Sequence, residues 1–141
     1  ENDAERARLH ALVERLSDDD LRHPMPAGWT VAGVLAHMAF WDARALYFIN
    51  RWESGIAPSV DDQEPEQVVD WVNDSAKVLC LALPPRDAAQ LALDLAEETD
   101  ARVAGMSDAL VEQMLAVGQP FSLARASHRG EHLDEIEAAL S

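Results

Sequence analysis

Two histidines stand four residues apart near the C-terminal end, in the run His128-Arg129-Gly130-Glu131-His132. On an α-helix this spacing puts both side chains on one face at successive turns, so two imidazoles can grip one divalent ion without bending the backbone. A third, His37, interrupts an otherwise apolar stretch between Val34 and Trp41. An imidazole on such a face must be hydrogen-bonded as part of the core or shared with a ligand, because burying it unpartnered is costly. Three neutral imidazoles on one ion leave a coordination position open to water or substrate. That separates a site capable of chemistry from a closed structural one with four protein ligands. An ion held this way lowers the pKa of bound water or a bound thiol and polarises a carbonyl.

Around these three, Asp42, Glu131 and Glu135 are candidates to orient an imidazole N–H or shuttle a proton. Trp41, one turn beyond His37, either lines the cavity or packs in the core. Gly130 sits between the paired histidines, where glycine costs a helix roughly 1 kcal/mol relative to alanine, and it could mark close approach by another backbone. His10 and His23 have no partner at ligand spacing.

Metal ligands on separate segments need rigid elements to bring them together. Apolar residues at helical spacing predict a first helix over Asp3–Leu16, ending at the acidic run Ser17-Asp18-Asp19-Asp20. Two prolines and a glycine between His23 and Gly28 exclude helix, and Thr30 is the expected N-cap of a long second helix from Val31 to about Trp52. A polar loop from Ser54 to Pro65 leads to a third segment, Glu66 to about Leu83, stopped by Pro84-Pro85. A fourth runs from Asp87 to about Val103, a short turn of helix follows over Asp108–Leu115, and the last helix is expected over Phe121–Leu140. On a wheel of that last helix both histidines lie beside Phe121 and Ala139, at the margin of the arc that holds Leu133, Ile136 and Leu140. No run alternates long enough to predict a strand, and there is no internal repeat. The expected architecture is a single all-α domain spanning residues 1–141. In a four-helix bundle the second and last helices can be neighbours, with inward side chains on facing helices building a metal site.

Composition narrows the function. With 26 acidic and 11 basic residues the formal net charge is -15, a field that repels phosphate backbones and anionic membranes, so neither nucleic acid nor a membrane is an expected partner. No apolar run approaches the roughly 20 residues that cross a bilayer. The charged opening, Glu1 to Arg8, does not read as a secretory signal, which makes a soluble cytoplasmic protein the expectation. Cys80 is the only cysteine, so no intramolecular disulfide can form, and its apolar surroundings from Val78 to Leu83 predict a buried thiol.

The block Gly28-Trp29-Thr30-Val31 through Leu35-Ala36-His37-Met38, followed by His128-x-x-x-His132-Leu-x-Glu-Ile, resembles the DinB-like superfamily, which includes the metal-binding domain of mycothiol-dependent maleylpyruvate isomerase. The resemblance implies a four-helix bundle of up-down-down-up type, here with an additional helix in the middle of the chain, commonly as a homodimer. It implies a divalent metal, zinc or nickel, on His37, His128 and His132. It also favours a low-molecular-weight thiol such as mycothiol or bacillithiol as the activated ligand in an S-transfer or isomerisation. The alternatives are a metal-dependent hydrolase and a non-catalytic helical or dimerisation module with a structural metal or none. Imidazole ligands suit zinc, nickel, iron and copper alike, and the small-molecule substrate is not written in the sequence.

Overall fold

Thr30 opens the longest helix of the chain: its hydroxyl accepts the Gly33 N–H at 3.0 Å, an N-cap that satisfies a donor the helix itself cannot. The computed structural model describes all of residues 1–141. Seven helices follow one another, α1 (Asn2–Arg15), α2 (Asp18–Leu21), α3 (Val31–Glu53), α4 (Glu66–Ala82), α5 (Pro85–Ala104), α6 (Asp108–Ala116) and α7 (Arg125–Leu140). A two-residue ribbon, β1 (Pro24–Met25) antiparallel to β2 (Trp29–Thr30), precedes α3.

Contacts between helix ends fix the topology. Asn2 bonds Leu123 and Ala126 near the start of α7, while Arg15 reaches Glu137 near its end, so α1 and α7 run parallel. Arg6 meets Asp100 late in α5 and Arg86 at its start donates to the Leu16 carbonyl, so α1 and α5 are antiparallel. Arg102 pairs with Glu53 at the shared ends of α5 and α3, and Thr99 donates to the Asp42 carbonyl one level in, so these two are parallel. The order α1, α3, α5, α7 is therefore up, down, down, up. Two consecutive parallel helices need a return path. The additional helix α4 provides it, running back along the outside of α3.

The interior explains why α3 is central. Val31, Leu35, Ala39, Ala45 and Ile49 are each at most 1% exposed, spaced so that one broad face meets α5 and α7. The main core gathers Leu9, Leu12, Leu35, Ala88, Ala92, Ala96, Leu133 and Ile136 from four helices. The alanine row on α5 allows its backbone to approach α3 closely. A second, smaller cluster of Phe48, Trp52, Met106, Met114 and Phe121 closes the far end beneath α6, with the Trp52 and Phe121 rings stacked 5.6 Å apart. Cys80 is the one buried residue of α4. No helix is long and apolar enough to cross a membrane.

Several boundaries depart from the sequence expectations, each for a local reason. The acidic run does not merely end α1. Ser17 and Asp20 form a capping box that starts the single turn α2. Pro84-Pro85 separates two helices, but Pro85 is the first residue of α5, where its missing N–H has no bond to lose. The ribbon β1–β2 is too short for alternation to announce it; its turn needs left-handed backbone at Ala27 (φ 58°) and Gly28 (φ 77°). The last helix begins at Arg125, not Phe121, because Gly118 and Gln119 adopt positive φ and Pro120 follows. Phe121 serves the second core instead.

Gly130 does not mark a close backbone approach. A Cβ there would meet only the Glu5 side chain, at 3.4 Å, an ordinary contact. Gly130→Ala is therefore expected to stabilise the fold by about 0.5–1 kcal/mol through helix propensity and reduced chain entropy, measurable by urea unfolding.

Candidate metal centre

His37 stands two turns into α3, and His128 and His132 occupy successive turns of α7 where that helix packs on α3. One potential ligand atom from each lies within 4.8 Å of the others, and no other group of three or more His, Cys, Asp or Glu side chains converges this way. His37 is 5.4 Å from His128 and 4.9 Å from His132, centroid to centroid, and the α7 pair is 4.6 Å apart. All three are half-buried, enough to exclude bulk solvent on one side and leave access on the other.

The ring nitrogens point at a common space. His132 Nδ1 is 2.8 Å from the Glu135 carboxylate. An ionised carboxylate only accepts, so Nδ1 carries the proton and the lone pair is left on Nε2. That nitrogen lies 3.1 Å from His128 Nε2. Two nitrogens bound at 2.0–2.1 Å to one tetrahedral ion stand about 3.4 Å apart, so the pair needs only a few tenths of an ångström of opening to share a cation. His37 makes no hydrogen bond within the protein. It is wedged between Trp29 (5.6 Å) and Trp41 (6.5 Å), both edge-on. The donor set thus fits a divalent transition-metal ion: three imidazoles, one oriented by a carboxylate and one lacking any other partner.

Electrostatics hold the set ready. Burial, then the neighbouring His132, push the His37 imidazole down to about 4, with Glu135 opposing. Burial, His132 and His37, with Arg125 and Arg129 nearby, push His128 down to about 3. Both rings are therefore neutral, the form that binds metal, throughout the physiological range. Their folded pKa values lie below the unfolded value near 6.5. The stability they contribute is present above pH 6.5 and is lost as pH falls toward 4 and then 3. Metal-free protein is expected to lose up to about 1.4 kcal/mol per pH unit for each ring in that window, less where solvent reaches them. Urea unfolding of chelator-treated protein at pH 7 and pH 5 measures the loss, and a His37→Gln/His128→Gln variant should show a visibly shallower dependence.

Two cavities meet at the triad. One, about 670 Å³, is lined by Met25, Trp29, Asn73, Asp74, His132 and Glu135 among others. The second, about 420 Å³, has Trp41, Arg44, Asn73, Arg125 and all three histidines in its walls. Lys77, the sole lysine, reaches from α4 to the carbonyl of Ala27 and lies 5.4 Å over the Trp29 ring. This ties the ribbon turn down and keeps Trp29 against His37.

The residues expected around the histidines divide. Glu135 touches one. Trp41 lines the second cavity, its indole N–H donating to Asn73 at 2.9 Å. Asp42 orients no imidazole: buried on the side of α3 facing α5 and α7, it accepts from Arg125 Nε and Nη2 at 3.0 and 2.8 Å, with Arg129 at 3.5 Å. Glu131 points to solvent on the outer face of α7 and makes no hydrogen bond. Sequence reasoning did not single out Asn73 or Arg125. Arg125 had a readable signal, since it lies one turn before His128 on the same face. Asn73 had none, because α4 sits against the site only through the fold. Glu135→Gln is expected to weaken metal affinity by about tenfold, the low end for a residue supporting a ligand, since Glu135 is 59% exposed. Competition with a chromogenic chelator reads this directly.

Searches of curated proteins and of solved structures found no match to this sequence. A family model does match, over residues 1–133 of 141, with the whole of the bundle down to the first turns of α7 and all three histidines inside it. By that coverage and by its all-helical fold, the chain belongs to the DinB superfamily.

Proposed function

We propose that this protein binds one divalent metal ion through His37, His128 and His132 and uses it in thiol chemistry, as an S-transferase or isomerase acting with a low-molecular-weight thiol of the mycothiol or bacillithiol kind. The observation that carries the reading is the convergence of three imidazole donors at the junction of two cavities, with no fourth protein ligand. Bound there, a zinc or nickel ion would lower the pKa of a coordinated thiol into the neutral range. The chain's own residues do the rest. Glu135 fixes the His132 tautomer. Trp29 and Trp41 wall the site and limit water, and Asn73 and Arg125 offer polar contacts to whatever enters.

The test is cobalt substitution. Tetrahedral cobalt in a three-imidazole site is expected to give visible d–d bands, and a small thiol should add a thiolate-to-metal charge-transfer band in the near ultraviolet. Cobalt uptake without any thiol-dependent band favours a hydrolase using water at the same site. Absence of cobalt binding removes both. A second reading, a dimerisation module, draws on α4, whose Trp71, Val78 and Leu79 are 58%, 71% and 72% exposed. Exposed apolar side chains of that size on one helix favour contact with a second copy. The two readings are compatible, and a homodimer formed through α4 would leave the triad on α3 and α7 free.

A further inference from the structure

We infer that Arg125 anchors an anionic group, a carboxylate or sulfonate, of the small molecule presented to the metal; the inference rests on the metal-site reading above. Arg125 opens α7, one turn before His128, and its side chain is only 7% exposed. It nevertheless forms part of the wall of the 420 Å³ cavity that also contains His37, His128 and His132. Two of its three nitrogens are committed: Nε and Nη2 both donate to Asp42 Oδ1. Nη1 has no acceptor in the protein. A guanidinium buried to this degree with a free donor at a cavity wall is a preformed site for an oxyanion, since its position is fixed before binding.

The neighbouring cation supports the choice by contrast. Arg44 lines the same cavity, but its nitrogens are all engaged, by Glu64 and by the carbonyls of Pro120 and Asp62. Its guanidinium is also held near the Trp41 and Phe48 rings, at 5.5 and 4.8 Å. Of the two, only Arg125 has a nitrogen without an acceptor. Asp42 and Asp100 face Arg125, Arg129 and Arg6, and Arg6 also pairs with Asp3, so these groups balance inside a chain of net charge -15. A divalent ion held by the three imidazoles would make the potential there positive. Anions are therefore favoured in this cavity, although the surface as a whole repels them.

Cobalt-loaded protein titrated with 2-mercaptoethanesulfonate and with 2-mercaptoethanol tests this. The two thiols have the same carbon chain and differ in the anionic end, and a sulfonate is a poor metal ligand. The charge-transfer band is expected to saturate at about tenfold lower concentration for the sulfonate, as one charge-assisted contact provides. Arg125→Lys keeps a positive charge near Asp42 but loses the fork; it should reduce the preference for the sulfonate severalfold. Arg125→Gln/Asp42→Asn removes the pair together, so that no buried charge is orphaned, and should abolish the preference. Equal affinities for the two thiols in the wild type, or a preference undiminished in both variants, overturns the inference while leaving the metal site standing. Absence of a cobalt band with any thiol overturns the thiol reading itself and this inference with it.

Discussion

Arg129→Ala should be among the most damaging single substitutions in the protein, lowering stability by about 3–5 kcal/mol in urea unfolding. Arg129 is only 2% exposed and grips both oxygens of Asp100, at 3.0 and 3.1 Å, while lying 3.5 Å from Asp42 and donating to the Asn2 carbonyl at 3.4 Å. One side chain thus ties α7 to α5, α3 and the start of α1. Removing it leaves Asp100 buried with only the partly exposed Arg6 to balance it, at 2.8 Å. The cost is that of an orphaned charge rather than of a lost contact. Arg129→Met/Asp100→Leu, which takes both charges away and keeps the volume, should recover a substantial part of the loss. If the double variant is no more stable than Arg129→Ala, the network is valuable in itself and the orphaned-charge explanation is wrong. Asp42 belongs to the same cluster, which explains why an acidic residue one turn and a residue beyond His37 serves the bundle and not the imidazole.

His37→Ala has the largest expected effect on ligand binding with the least on the fold. His37 has no hydrogen bond in the protein to lose, and its half-buried position means that little apolar area is given up. Metal-free stability should change by no more than about 1 kcal/mol. Metal affinity should fall by more than the roughly 100-fold that loss of a residue merely supporting a ligand can cause, because one of three donors is gone. Chelator competition and thermal unfolding, measured on the same sample, separate the two effects. A large loss of stability with affinity intact would make His37 a core histidine and the convergence incidental.

Much of this architecture was legible because the helices are long and their signals local. Thr30 as a cap, the apolar stretch of α3 and the stop at Pro84-Pro85 each act within a few residues of themselves. The histidine pair was readable for the same reason: a spacing of four is a statement about one helix. That His37 meets the pair is a tertiary fact, suggested by bundle geometry and by the family resemblance and seen only when α3 and α7 are packed. The misreadings share a cause. Phe121 looked like helix because its apolar character fits the wheel, but the positive φ values at Gly118 and Gln119 delay the start of α7 to Arg125. Asp42 and Glu131 looked like supporting residues because they sit near histidines in sequence. Direction on the helix decides the matter: Asp42 faces two arginines, Glu131 faces water, and Glu135, at the same offset of three as Asp20 from Ser17, can reach back to its partner. Arg125 could have been found by extending the histidine face one turn earlier, whereas the return helix α4 and its Asn73 required the fold.

The most direct measurement is the metal content and coordination of protein purified without a metal-affinity tag and repleted with zinc or nickel, by elemental analysis and X-ray absorption. The expected result is one ion per chain with a first shell containing three imidazole nitrogens, lost when His37, His128 and His132 are all replaced by alanine. No bound ion after repletion, or an ion that survives in the triple variant, would contradict the assignment of this site.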